Sequence, residues 1–187
     1  IENDTKLDFS DVLIKPKRSN LYSRSQVNLE RTFTFLHSKR KWTGIPLMVA
    51  NMDTTGTFEM YNSLKEYKII TCLHKHYNLE DYPNNLDPNY YTITTGISDA
   101  DRTKLDSLIE KLNPYFVVVD IANGYSDKFV LFCKKLRDDY PQLTIIAGNV
   151  ATSDMVQELL ITAKVDVVKC GIGGGSVCST RLKTGVG

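Results

Sequence analysis

The sharpest local feature of the sequence is the run Gly171-Ile172-Gly173-Gly174-Gly175-Ser176-Val177-Cys178-Ser179-Thr180-Arg181. Glycines let a backbone take positive φ and approach a ligand closely, and successive N–H groups of such a loop can cradle an anion. Ser176 adds a hydroxyl donor suited to phosphate. The run is not a dinucleotide fingerprint, because a G-x-G-x-x-G starting at Gly171 would need glycine where Ser176 stands. Nor is it a P-loop, since no Gly-Lys-Ser/Thr follows. Its carbonyls could instead coordinate a monovalent cation. Cys178 closes the glycine stretch, with Arg181 and Lys183 just beyond. Positive charge and backbone N–H groups stabilise a thiolate, and only the thiolate is a strong nucleophile. Cys178 is therefore either an activated nucleophile or a small residue buried in a tight turn. Cys72, Cys133 and Cys170 fall in strand or helix patterns and read as structural.

A second cluster is His74-Lys75-His76. Alternation at a strand end would point Lys75 one way and both histidines the other. A lysine placed there can bind phosphate or polarise a leaving group, or simply be solvated. Two histidines without a nearby carboxylate make a poor metal site, so no transition metal is expected. Asp120 ends the apolar run Phe116-Val117-Val118-Val119. A carboxylate in that position is costly unless it meets donors, and either ribose hydroxyls or a helix start would supply them. Met52, between Asn51 and Asp53, reads either as a surface for a base or as core.

These residues need elements to hold them. Short β-branched runs occur at Ile45–Ala50, Ile69–Leu73, Tyr91–Thr95, Phe116–Asp120, Thr144–Gly148 and Asp166–Cys170. Their starts lie 22 to 28 residues apart, enough for a strand, a crossover helix and two short loops. Near-continuous apolar runs are what strands buried on both faces look like. Between them, helical spacing covers Phe58–Tyr67 and Thr103–Leu112, a stretch after Ser126 that Pro141 ends, and one after Ser153 and Asp154, which can cap it. Residues 1–44 lack this rhythm, and the alternation Thr32-Phe33-Thr34-Phe35 suggests a strand or hairpin in an irregular lead-in.

Rhythm alone fits an open doubly wound sheet or a (β/α)₈ barrel equally. An open sheet concentrates its site at one switch point, whereas a barrel draws residues from many strands. Here Asn51 and Asp53, the His74–His76 cluster, Asp120 and Asn123, Asn149 and the glycine loop each follow a different strand. That distribution favours a barrel, of which the chain would hold about the first six strands.

With 187 residues, 42% hydrophobic, 24% charged and a formal net charge of +1, the composition is that of an ordinary globular core. It argues against a dedicated nucleic-acid binder, which would carry a basic face. No apolar run approaches the roughly 20 residues that span a bilayer, so no membrane partner is expected. Ile1–Lys6 does not read as a signal peptide, and the Asn3-Asp4-Thr5 sequon would matter only in a secreted protein. Four spread cysteines without a Cys-x-x-Cys point to free thiols in a reducing compartment, with the cytoplasm as default.

Two stretches resemble motifs shared by the IMP dehydrogenase/GMP reductase family: Asp8-Phe9-Ser10-Asp11-Val12-Leu13-Ile14-Lys15-Pro16-Lys17-Arg18-Ser19, an opening motif, and Gly171–Arg181, a catalytic cysteine loop. Three more are similar to the reductase branch: Ile45–Thr54, His74-Lys75-His76-Tyr77 and Asp120-Ile121-Ala122-Asn123-Gly124-Tyr125-Ser126. Dehydrogenases of the family usually insert a regulatory domain after the second βα unit, and only about 20 residues separate the second and third strands here. The resemblance implies a (β/α)₈ barrel, usually tetrameric, with residues 1–44 as lead-in and 45–187 as an incomplete barrel ending just after the cysteine loop. It implies NADPH-dependent reductive deamination of GMP to IMP with release of ammonia, through a cysteine thioimidate at purine C2. The alternatives are oxidation of IMP to XMP with NAD, and a noncatalytic nucleotide-binding module.

Residue by residue, the resemblance makes Cys178 the nucleophile, Thr180 the proton-transferring threonine, and Lys75 a lysine shared by active site and cofactor. Asp120, Ile121 and Ala122 would meet the nicotinamide ribose, and Ile172 and Gly173 would also touch the cofactor. Met52 and Asn149 would line the purine and nicotinamide space, with Ser176 on the nucleotide phosphate. Ser23 and Arg24 would reach the adenosine 2′-phosphate from a neighbouring subunit, a role suited to arginine's bidentate geometry. The carbonyls of Gly173, Gly175 and Cys178 match a potassium site to which Arg181 contributes. Two positions depart from the family pattern: Gly174 replaces a usual Pro and Ser179 a usual Thr. Gly174 should loosen a loop that works best stiff. The glutamate partner of the threonine, most of the phosphate site and the mobile flap are expected beyond Gly187, so these residues alone should be inactive.

Overall fold

The computed structural model describes Thr5, Leu7 and residues 9–187. Asp8 of the opening motif lies outside the described residues, as do Asn3 and Asp4 of the sequon. An antiparallel hairpin comes first, β1 (Arg31–Thr34) paired with β2 (Lys41–Gly44). Six parallel strands follow: β3 (Met48–Val49), β4 (Ile70–Cys72), β5 (Tyr91–Thr95), β6 (Phe116–Asp120), β7 (Thr144–Val150) and β8 (Val167–Cys170). Their spatial order is their chain order, β3-β4-β5-β6-β7-β8. A doubly wound sheet reverses direction at a switch point, and this sheet never does. Uninterrupted sequential order is the wall of a barrel, so topology separates the two architectures that rhythm left equal.

Helices α1 (Phe58–Leu64), α2 (Asp99–Leu112), α3 (Asp127–Asp139) and α4 (Ser153–Ile161) cover one face, and a short α5 (Thr180–Thr184) follows the loop after β8. Side-chain alternation along the strands divides the core in two. Tyr91, Ile93, Val117, Val119 and Ile145 point outward against Leu105, Leu108, Phe129 and Leu136 of the helices. Ile70, Cys72, Phe116, Val118 and Ile146 point into the barrel and meet Trp42 of the hairpin. Burial on both faces is why Phe116–Val119 is apolar without a gap.

The hairpin covers the amino-terminal end of the barrel. Phe35 packs edge-on against Phe116 at 5.8 Å, and Trp42 Nε1 donates to the Asn89 carbonyl at 2.9 Å. Its turn is fixed by Asp166, which accepts from the backbone N–H groups of His37 (2.9 Å), Ser38 (3.0 Å) and Ile145 (3.1 Å) and pairs with Arg137.

Several element bounds move by one or two residues from the sequence reading, and three differences are larger. The first strand shrinks from Ile45–Ala50 to Met48–Val49, since it pairs only with β4 and Pro46 has no N–H to give a ladder. Helix α2 begins at Asp99 rather than Thr103, because Ser98 and Asp101 form a reciprocal capping box. Ser153 and Asp154 do not cap α4; Thr152 holds the cap position without a side-chain bond to the helix backbone, and Ser153 is the first helical residue. Among the described residues no helix is long and apolar enough to cross a membrane, and no group of three or more His, Cys, Asp or Glu could hold a metal ion.

Candidate active site

Parallel strands carry their following loops to one end of the sheet, and the polar residues singled out from the sequence follow their strands there. At that end three side chains from three strands close a network. Asn51, just past β3, donates from Nδ2 to Asp120 Oδ2 at 2.7 Å. Lys169 of β8 donates to Asp120 Oδ1 at 3.0 Å and to Asn51 Oδ1 at 2.9 Å. Asp120 is thus satisfied by a lysine and an amide, and no helix start is involved. Helix α3 begins seven residues later, with Ser126 at its cap position.

The glycine loop follows β8. Gly173 has φ +65°, and a Cβ there would sit 2.9 Å from Arg181 Cγ, so conformation and space both demand glycine. Arg181 Nε donates to the Ile172 carbonyl at 3.0 Å and ties the loop to the first turn of α5. Asn149 Nδ2 donates to the Gly171 carbonyl at 2.9 Å, joining the end of β7 to the loop's start. Cys178 is exposed, and its N–H donates to the Gly175 carbonyl at 3.0 Å. Its Sγ lies 3.3 Å from Thr180 Oγ1, the thiol donating when neutral and the hydroxyl donating when the sulfur is ionised. The Thr180 hydroxyl and N–H, with the Arg181 charge, hold this thiol below its ordinary value. Burial drives the other way at Cys72, pushed up to about 11, and Cys133, pushed up to about 12. Cys170 is exposed as well, so only two of the three remaining thiols are buried core.

The His74–His76 cluster is a turn rather than a strand end, since β4 stops at Cys72. His74 stacks on Tyr77 at 3.9 Å, and its Nδ1 accepts from the His76 N–H at 3.2 Å. Burial, then His76, lowers its basicity. Lys75 is exposed and borders a cleft of about 630 Å³ together with Ser98, Asp101, Asp120, Ile121 and Ala122. Four of the expected cofactor residues therefore share one cleft. Ile172 is buried and lines a second cleft of about 1030 Å³, with Thr152, Cys170, Gly171 and Arg181. Met52 and Ser176 are exposed on their loops. Ser23 caps the short turn Arg24–Gln26 in the lead-in, and neither Ser23 nor Arg24 lines either cleft.

Two residues of this end were missed in the sequence. Lys169 reads as part of an apolar strand, and Asn51 reads only as a polar residue after the first strand. The available signal is charge pairing: an aspartate and a lysine each interrupt the inward face of an apolar strand, and opposite charges so placed satisfy one another.

The sequence model described as "IMP dehydrogenase / GMP reductase domain" matches residues 89–187. A GMP reductase of Shigella boydii serotype 4 (strain Sb227) is 51% identical over all of this chain and 56% of its own length. A GMP reductase of Escherichia coli (strain K12 / DH10B) gives the same figures. The chain thus spans about half the length of the curated relatives it matches. Among solved structures, an inosine 5′-monophosphate dehydrogenase from Legionella pneumophila superposes with a TM-score of 0.78 at 30% identity, over 97% of this chain and 55% of the other.

Proposed function

The chain belongs to the IMP dehydrogenase/GMP reductase family, and from that premise we propose that it carries the nucleophile and part of the cofactor cleft of a GMP reductase, which converts GMP to IMP and ammonia at the expense of NADPH. The observation that carries the reading is an exposed cysteine, hydrogen-bonded to Thr180 and lowered in pKa, at the end of a glycine loop on the carboxyl side of a barrel wall. The short β4–β5 connection, residues 73–90 with one 3-10 turn, favours the reductase over a dehydrogenase with an inserted domain.

In this mechanism the Cys178 thiolate bonds to purine C2 of GMP and the exocyclic amine leaves as ammonia. Thr180, 3.3 Å from the sulfur, exchanges the proton that sulfur and leaving group need. Bound NADPH would supply the hydride that replaces sulfur at C2. The cleft's chemistry suits such a cofactor: Asp120 offers acceptors for ribose hydroxyls, while Lys75 and Lys128 offset phosphate charge. Ile172 and Gly173 border the cofactor from the loop side, and Met52, Asn149 and Ser176 serve the nucleotide. Ser23 and Arg24 belong to a neighbouring subunit's cofactor, in a cytoplasmic homotetramer. Residues 1–44 form the lead-in and 45–187 belong to the catalytic barrel.

Potassium fits the all-carbonyl donor set of Gly173, Gly175 and Cys178. The Gly175 oxygen keeps a second lone pair after accepting from Cys178. A guanidinium is a donor only, so the Arg181 side chain serves this site by holding the Ile172 carbonyl and the loop, and any direct contribution of Arg181 comes from its backbone carbonyl, which keeps a second lone pair after accepting from the Gly185 N–H.

Incubating the intact protein with GMP and NADPH should consume NADPH and yield IMP and ammonia in equal amounts. Turnover of IMP with NAD and none of GMP would overturn the assignment in favour of a dehydrogenase.

A further inference from the structure

Asp120 and Lys169 stand on strands that are not neighbours. Asp120 is paired in register with Gly148, and Gly148 with Lys169. Two strand spacings put their backbones roughly 9.5 Å apart, a gap that the two side chains can bridge when no side chain stands between them. None stands there because residue 148 is glycine. A Cβ there would lie 2.5 Å from the Lys169 carbonyl oxygen and 2.7 Å from Lys169 Cβ. The lysine stem crosses the glycine and delivers its ammonium to Asp120 Oδ1 and Asn51 Oδ1.

Each oxygen of Asp120 thus has one fixed donor, Lys169 on Oδ1 and Asn51 on Oδ2. A carboxylate oxygen accepts about two hydrogen bonds, so each keeps an acceptor site. Asp120 remains about a third exposed and borders the cleft of about 630 Å³. Two held oxygens with one open site apiece suit a vicinal diol, whose adjacent hydroxyls donate in parallel. The lysine also cancels the carboxylate charge, which would otherwise repel a polyphosphate lying in the same cleft.

We infer that Lys169, reaching across Gly148, is a positioning residue that fixes Asp120 as a charge-compensated acceptor for a ribose diol of the dinucleotide cofactor, with Asn51 as its second support. The inference rests on the GMP reductase reading for the identity of the cofactor. Lys169 acts through Asp120, so its loss should register in cofactor binding and only while Asp120 is present.

The test is calorimetric titration of the intact protein with NADPH and, separately, with GMP, for wild type, Lys169→Met, Lys169→Arg, Asp120→Asn and the Asp120→Asn/Lys169→Met pair. Lys169→Met should weaken NADPH by about tenfold or more, as loss of a supporting partner does, and shift GMP by less than about twofold. Lys169→Arg should restore most of the affinity, and in the Asp120→Asn background the lysine change should cost less than about twofold. Unchanged NADPH affinity in Lys169→Met, equal weakening of both nucleotides, or a full tenfold loss added to that of Asp120→Asn would each overturn the inference. If Lys169→Met does not fold, Asn51→Ala, which frees Oδ2 and leaves the ion pair, must weaken NADPH selectively; no change there also overturns it. Wild type that binds NADPH but turns over no GMP sinks the GMP reductase reading and leaves the positioning test standing, whereas wild type that binds no NADPH sinks both.

Discussion

The two ends of the barrel wall each hold an aspartate paired with a cation, and the two pairs are built differently. At the amino-terminal end Asp166 is fully buried and spends its oxygens on three backbone N–H groups and Arg137. Arg137 in turn donates to the carbonyls of Lys164, Pro141 and Leu143. Asp166 lies at the foot of β8, and its bonds tie the β1–β2 turn and β7 to it. At the carboxyl end Asp120 is about a third exposed, receives two side-chain donors and opens on a cleft. A saturated, dry pair can only hold structure. A pair with acceptor sites left over and a cleft beside it can bind something, and the cysteine loop stands at that end too.

If that division is right, damage at the two ends should separate into lost chemistry and lost stability. The largest effect belongs to Cys178→Ala, which removes the sulfur and should lower turnover of GMP by on the order of 10⁴-fold or more without shifting the unfolding curve. Retained turnover would dismiss the covalent mechanism. Next is Arg137→Met, which strands a buried carboxylate and three carbonyls and should cost about 3–5 kcal/mol in denaturant unfolding. Asp120→Asn, at the wetter pair, should stay within about 1 kcal/mol of wild type in the same measurement. Equal losses for Arg137→Met and Asp120→Asn would erase the distinction between the ends.

The sequence made the carboxyl end more legible than the amino-terminal one. Doubly buried strands announce themselves as apolar runs, so Tyr91–Thr95 and Phe116–Asp120 match the observed β5 and β6. Glycines beside Cys178 mark a loop because few other sequences demand positive φ. Asp166, by contrast, reads as the edge of a strand and Arg137 as one more charge on a helix; their partners are backbone groups, which leave no trace in side-chain identity. Lys169 was hidden for a related reason. Its partner lies two strands away, and the only hint of the path between them is a glycine in β7 that local rules attribute to strand irregularity.

Within the carboxyl end, the thiols give a graded test. Cys178 is exposed and lowered by the Thr180 hydroxyl and N–H, then Arg181, so its thiolate is present at lower pH than that of an ordinary cysteine. Burial raises Cys72 and Cys133 to about 11 and about 12. Iodoacetamide should therefore alkylate Cys178 ahead of both, which react only on unfolding, as peptide mass mapping against time would record. Thr180→Val removes the largest contribution, and the Cys178 profile should move to higher pH with severalfold slower alkylation near neutrality. A profile unmoved by Thr180→Val would assign the activation to the residue-180 N–H and Arg181 rather than to the hydroxyl.

The smallest effect marks where the two ends meet in kind, because the start of α2 lies on the cleft yet is held like structure. Ser98 caps the helix by accepting the Asp101 N–H at 3.1 Å, and Asp101 accepts the Ser98 hydroxyl and N–H at 2.6 and 3.0 Å. Burial pushes the Asp101 carboxyl up, but the two Ser98 donors, with Lys75 and Lys104, outweigh it and hold the group below the ordinary carboxylate range. A depressed folded value means this stability is present above the unfolded carboxylate value and is lost as pH falls through the folded one. Ser98→Ala should therefore cost about 1 kcal/mol near neutral pH, with the gap to wild type narrowing below the ordinary carboxylate range as Asp101 protonates. Cofactor affinity should stay within about twofold, because a cap that supports only its own helix has no share in holding Asp120. A tenfold loss of NADPH binding in Ser98→Ala would instead make the α2 start part of the cofactor site, and structure and binding would no longer divide by the pair that each aspartate makes.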